Sequence, residues 1–378
     1  MAAGKLNSSM RIAFDQQVFL LQEYGGISRY VCSLAKGMSI IPETTVKIFA
    51  PLHFNRHLGQ LTPNALALGK RAPRIPKTGR LISAMSAHLA HISIKNFNPD
   101  IVHETYFSHI DFVPKGAKRV ITVYDMIHER FASTWLGSEV TTAAKKAAVT
   151  RADHVICISE STRRDLLELF DIPEHKVSVT YLGFDALTSE KQIASTLTES
   201  SHPPYLLYVG GRSGYKNFER LLRAVASSQF LKNTFSIICF GGGVFTKGEM
   251  SLIEELGMKS TKVRQIGGED DILANLYLGA EAFICPSLYE GFGIPPLEAM
   301  SLGCPVICSD TSSLPEVVGD AGEYFDPEKT ESICSAIERV VQSKTRRDEL
   351  VEKGRKRCTI FSSEYCANRT LSIYRSLM

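Results

Sequence analysis

The sequence predicts an α/β protein of two doubly wound, Rossmann-like domains facing one another across a cleft. At 378 residues the chain is long for one hydrophobic core and suits two. Short apolar runs, each closed by polar or glycine-containing loops, alternate with segments of helical periodicity. The alternation starts twice, near residue 11 and again near residue 205, as two sets of parallel strands covered by helices would require.

The first ten residues are small and polar and read as a flexible extension. Strand candidates follow at 11–14, 46–50, 101–103, 120–124 and 154–158, with a helix candidate over 27–35, within a first domain spanning 11–190. A Ser-, Thr- and Pro-containing segment, 191–203, reads as the linker. Strand candidates at 205–209, 235–240, 282–285 and 306–308 belong to a second domain, 204–361, and the tail 362–378 has helical character. In the first domain Lys70, Arg71, Arg74, Lys77 and Arg80 form a basic stretch beside the helix-like, apolar segment 81–92. That pairing suits an anionic lipid surface as well as a plain solvated face.

A net charge of only +3 gives no strong field for nucleic acid, so none is expected as a partner. No run of about 20 apolar residues suggests a transmembrane helix, and the start lacks the apolar core of a secretory signal. Nine scattered cysteines, an odd count, read as free thiols in a reducing cytoplasm. Cys304 and Cys308 are separated by strand-like Pro305-Val306-Ile307, which argues against a metal site there.

The richest stretch is Tyr289-Glu290-Gly291-Phe292-Gly293-Ile294-Pro295-Pro296-Leu297-Glu298-Ala299-Met300. It lies between the apolar run 282–285 and a helix expected over 297–302, closed by Gly303. Glu290 then falls at the carboxyl end of a strand, where open α/β sheets bind ligands. Glu298 is expected in the first helical turn, beside free backbone N–H groups. Carboxylates so placed accept hydrogen bonds from sugar hydroxyls, while loop amides at Gly291 to Ile294 grip neighbouring oxygens.

Strand 205–209 leads into Gly210-Gly211-Arg212-Ser213-Gly214-Tyr215-Lys216-Asn217 and a helix whose apolar face is Phe218, Leu221, Leu222 and Val225. Two cations on a glycine-containing loop before a helix suit a diphosphate: Arg212 can fork onto two oxygens and Lys216 supplies a compact charge. Gly25-Gly26 follows the first strand, where absent Cβ atoms let a ligand approach and the next helix points its N–H groups at an anion.

Residues 289–300, continued through Gly303-Cys304-Pro305-Val306-Ile307 and the segment 312–322, resemble the E-x7-E signature of glycosyltransferase family 4. These are retaining nucleotide-sugar enzymes of the two-domain GT-B fold. The resemblance implies a hexosyltransferase that needs no metal or other cofactor. It implies that Arg212 and Lys216 bind the diphosphate, that Glu290 holds donor-sugar hydroxyls with the amides of Phe292 and Gly293, and that Glu298 accepts ribose hydroxyls. It also sets Gly25 and Gly26 near the phosphates, the nucleobase near 265–271, and the C-terminal helix back on the first domain. One departure stands out. Tyr124 occupies the place of a family histidine at the end of strand 120–124, leaving Asp125 and His128 as the catalytic candidates there.

The motif combination is similar to bacterial transferases of surface-polysaccharide (O-antigen or lipopolysaccharide) assembly. It implies GDP-mannose as donor, with a UDP-hexose as the alternative. The acceptor is then a growing glycan or polyprenyl-linked glycan, met in the cytoplasm or peripherally at the inner membrane. Three other readings compete. An oxidoreductase lacks its G-x-G-x-x-G after the first strand. A glycosidase would use Glu290 and Glu298 as facing acids. A non-catalytic nucleotide-sugar binder would hold the donor without transfer.

Overall fold

The computed structural model describes residues 9–61, 66–134, 137–185, 203–258 and 261–378. Residues 1–8 of the expected extension and all but the last residue of the expected linker lie outside these segments. The chain divides into two compact units, Met1–Gly183 with Phe361–Met378, and Phe184–Ile360.

The first unit holds a seven-stranded parallel sheet, ordered β3-β2-β1-β4-β5-β6-β7. Its strands are β1 Met10–Phe14, β2 Thr44–His53, β3 Ala67–Arg71, β4 Ile101–Glu104, β5 Lys118–Val123, β6 His154–Cys157 and β7 Val177–Val179. The second holds a six-stranded parallel sheet, ordered β10-β9-β8-β11-β12-β13. Its strands are β8 Tyr205–Val209, β9 Ser236–Phe240, β10 Val263–Ile266, β11 Ala282–Cys285, β12 Val306–Ser309 and β13 Gly322–Phe325. The expected doubly wound class is therefore what forms. Central strands are apolar on both faces because helices cover both: Ile12, Ala13 and Phe14 in β1, and Leu206, Leu207 and Tyr208 in β8, are buried.

Each sheet reverses its winding beside its first strand. In the second unit β8 pairs with β9 on one side and β11 on the other. In the first, β1 pairs with β2 and β4. Carboxyl-end loops on either side of such a reversal leave a crevice, the usual ligand position in open α/β sheets. The loops that follow β8 and β11 are 210–217 and 286–293, and they carry the motifs singled out above.

The C-terminal helix Ser363–Ser376 is part of the first unit and packs on the helix Gly26–Ser39. Ser33 Oγ lies 3.1 Å from Ser363 Oγ, and the Tyr374 hydroxyl meets His103 Nδ1 in the core. The helix after β11 begins at Ile294, three residues before the expected start, and runs to Ser301. Prolines fit a first turn, whose N–H groups have no intrahelical partner, so Pro295 and Pro296 sit inside the helix. Glu298 is consequently in the second turn rather than the first.

Candidate functional site

In the second unit, backbone constraints bring two loops together. Asn217 has φ 58° and caps the helix Phe218–Ser227. Its Nδ2 donates to the Pro286 and Pro327 carbonyls at 2.9 and 2.8 Å, and the Leu288 amide donates to Tyr215 O at 2.7 Å. These bonds staple the β8 loop to the β11 loop. Lys216 Nζ then donates to Glu290 Oε1 at 2.7 Å. Burial works against the ammonium, but the Glu290 carboxylate and Tyr215 beside it outweigh that cost and raise the Lys216 pKa.

Glu290 is held from several sides. Ser287 Oγ donates to its Oε1 at 2.6 Å, and its own amide donates to Ser312 Oγ at 2.9 Å. The Ser313 hydroxyl lies 2.8 and 2.7 Å from the Glu290 and Phe292 carbonyls. Gly293, at φ 122°, turns the chain into the helix in a conformation that side-chain-bearing residues rarely adopt. Glu298 is buried and accepts a hydrogen bond from the Tyr277 hydroxyl at 3.2 Å.

Arg212 sits differently from Lys216. Its guanidinium is buried and donates to Glu249 Oε1 at 2.7 Å, Gly241 O at 3.1 Å, Gly243 O at 2.9 Å and Val244 O at 3.0 Å. It also lies over the Phe245 ring at 4.7 Å. The run Gly241-Gly242-Gly243 has φ of 81°, 70° and 72°, so a left-handed turn presents its carbonyls to the arginine. A Cβ at Gly242 would fall 2.6 Å from Arg212 Nη1. An open cavity of about 930 Å³ borders this clamp, lined in part by Gly211, Arg212, Gly242, Thr246 and Glu249. Lys216 and Glu290 are not among its lining residues.

In the first unit Gly25 caps the helix Gly26–Ser39 with an extended backbone, φ 173°. Gln22 Oε1 accepts the Ser28 amide at 3.1 Å and occupies part of that N-terminus. At the end of β5, Tyr124 is buried and its hydroxyl donates to Thr105 O at 3.2 Å. Asp125 accepts the Ile127 amide at 3.1 Å, and His128 lies in the short helix Ile127–Arg130.

The sequence reading missed Lys145. It is buried, and its Nζ donates to Asp125 O at 2.8 Å and to Glu129 Oε2 at 2.7 Å, fixing the loop that carries Asp125. Nothing in Ala143-Ala144-Lys145-Lys146-Ala147-Ala148 separates Lys145 from its exposed neighbour. Ser287 carries no signal of its own in the sequence, whereas Ser312-Ser313 belongs to the 312–322 segment of the motif. His103, in β4, is a core residue between Tyr374 and Thr122. Among the described residues no group of three or more His, Cys, Asp or Glu is arranged to hold a metal ion.

Comparison with known proteins agrees with the two-unit fold. Residues 189–357 match the family model "Glycosyl transferases group 1", and residues 24–186 match "Glycosyltransferase Family 4". The chain is 26% identical to O-antigen chain mannosyltransferase B of Escherichia coli, over 93% of this chain and 96% of that protein. Sucrose-phosphate synthase from Thermosynechococcus elongatus superposes with a TM-score of 0.77 at 19% identity, covering 97% of this chain and 99% of that one. The Anabaena protein HepE, solved with UDP-glucose, gives 0.73 at 17% identity, with coverage of 97% and 100%.

Proposed function

Because this chain belongs to the glycosyltransferases that join a family 4 domain to a group 1 domain, and is a hexosyltransferase of the GT-B fold, we propose that it moves mannose from GDP-mannose. The acceptor is a hydroxyl of a growing surface glycan or lipid-linked glycan, as in O-antigen assembly, and the anomeric configuration is retained. The observation that carries this reading is the Lys216–Glu290 pair, 2.7 Å apart, on the two loops at the β8/β11 reversal. A nucleotide sugar offers each member its own partner. The diphosphate is an acceptor for the ammonium, and the hexose hydroxyls are donors for the carboxylate.

As the donor C1–O bond breaks, negative charge grows on the leaving diphosphate. Lys216 neutralises that charge, and a pre-positioned cation needs no reorganisation at that moment. The new C1–O bond forms to the acceptor on the same face, and the acceptor proton passes to the departing phosphate oxygen. Arg212 supports the site by holding the Gly241–Gly243 turn. Glu298 takes the ribose hydroxyls, Gly25 and Gly26 serve the donor phosphates, and Asp125 and His128 take part in the transfer. The chemistry asks for no metal. Nine cysteines, all free, suit a reducing cytoplasm.

Mannose is favoured by the O-antigen mannosyltransferase relative. A UDP-hexose is the second reading, favoured by the UDP-glucose held in HepE. Incubation of the full chain with GDP-mannose, UDP-glucose and UDP-galactose, each with a lipid-linked glycan acceptor, separates the readings. Release of GDP with an α-mannosyl product, read from the anomeric proton in NMR, is the expected result. Inversion of configuration, or hydrolysis alone, would overturn the proposal, and UDP release would select the second reading.

A further inference from the structure

The segment 44–99 contains eight Lys and Arg and no Asp or Glu, in a chain whose Lys+Arg and Asp+Glu totals are 43 and 40. Within it lies the helix Gly79–Phe97. One face, Ser86, Ala90, Ile94 and Phe97, is buried against the first unit. On the far side Leu81, Met85, Leu89 and Ile92 recur at helical spacing and are 63%, 47%, 43% and 42% exposed. Singly exposed apolar residues are ordinary. Four in register along one helix, spanning roughly 16 Å at 1.5 Å per residue, form a continuous ridge.

The ridge starts in a patch of positive charge. Lys70, Lys77 and Arg80 are exposed, and Ile75, 56% exposed, sits among them. Arg71 and Arg74 share the single carboxylate of Glu23, at 2.6 and 3.7 Å, and Arg56 reaches it too, so this cluster keeps a net positive charge. No helix among the described residues is long and apolar enough to cross a membrane. An apolar ridge beside cations, with no acid on the whole segment, fits an interface whose interior is apolar and whose surface is anionic.

We propose that this face of the first unit docks on an anionic phospholipid surface, with Leu81, Met85, Leu89 and Ile92 entering the headgroup–acyl boundary and Lys70, Lys77 and Arg80 contacting phosphates. The inference stands on this surface alone and does not depend on which donor the protein uses.

Co-sedimentation of the full chain with vesicles tests it. The two lipid compositions are phosphatidylcholine alone and phosphatidylcholine mixed with phosphatidylglycerol. The protein should partition onto the mixed vesicles at low salt and leave them as salt rises, because a Debye length shrinks to about 3 Å at 1 M. Lys77→Glu with Arg80→Glu should lower partitioning at least about 25-fold, at roughly fivefold per lost cation. Met85→Gln with Leu89→Gln should also lower it, and both variants should keep the wild-type circular dichroism and nucleotide-induced thermal shift. Equal binding to neutral vesicles, absence of binding, or indifference to both double variants would overturn the proposal. So would a self-association in solution that Met85→Gln with Leu89→Gln abolishes, which would give the ridge to a second copy of the chain.

Discussion

Lys216 and Arg212 stand four residues apart in sequence yet do different physical work. Lys216 donates to one carboxylate, whereas Arg212 donates to a carboxylate and three backbone carbonyls inside the second unit. Lys216→Ala and Glu290→Ala should each lower sugar transfer at least about tenfold, the loss of one charged hydrogen bond to the reacting complex. Their thermal unfolding should match wild type; unaltered rates in folded variants would remove the pair from the site. Arg212→Ala should instead unfold more easily in urea, by about 1–3 kcal/mol, since Glu249 and three carbonyls lose their donor. Stability unaffected by that change would contradict the clamp. Glu290 and Glu298 were legible as candidates because their motif is long, and Lys216 because a glycine-containing loop carries it between a strand and a helix. The division of labour between the two cations was not, because it depends on Glu249 and Gly241–Val244, which lie about thirty residues further along the chain.

At the scale of elements, the strands missed in the sequence are β3, β7, β10 and β13, and all four are the outer strands of their sheets. An outer strand is covered less completely, so its apolar run is diluted: β3 reads Ala67-Leu68-Gly69-Lys70-Arg71 and is largely exposed, and β10 reads Val263-Arg264-Gln265-Ile266. Central strands announced themselves because both faces are buried. The glycine turn after β9 is a second element whose need became visible only in three dimensions. Gly242→Ala places a Cβ against Arg212 and Gly210 O at a φ of 70°. That substitution should destabilise the second unit by about 1–2 kcal/mol from the left-handed backbone alone. It should also weaken nucleotide binding measured by calorimetry. Wild-type stability and affinity would show that the turn tolerates a side chain.

Across the whole molecule, the C-terminal helix ties the last residues of the chain to the first unit through His103 and Tyr374, 271 residues apart. Burial holds the His103 pKa down at about 3, so the imidazole is neutral in the folded state. The unfolded chain, with an ordinary value near 6.5, binds a proton that the folded one does not between those limits. Stability from this group is therefore complete above about pH 6.5 and falls as pH drops toward 3, by roughly 1.4 kcal/mol per unit. Burial also raises the pKa of the neighbouring Glu104 to about 7, which acts in the opposite sense, so the His103 slope is read as the difference in urea unfolding between wild type and His103→Gln across that range. An equally steep profile in the variant would mean that other groups titrate. The two-unit architecture was legible from its doubled alternation of strands and helices; the docking of this helix was an implication of resemblance, since a helical pattern does not name the surface it covers.

The central claim concerns one ion pair that gives way to a nucleotide sugar. A crystal structure of the full chain with GDP bound tests it most directly. The account predicts that Lys216 Nζ lies within hydrogen-bonding distance of the terminal phosphate and that its 2.7 Å bond to Glu290 is lengthened or shared. A nucleotide seated away from the 210–217 and 286–293 loops, with that bond intact, would contradict it.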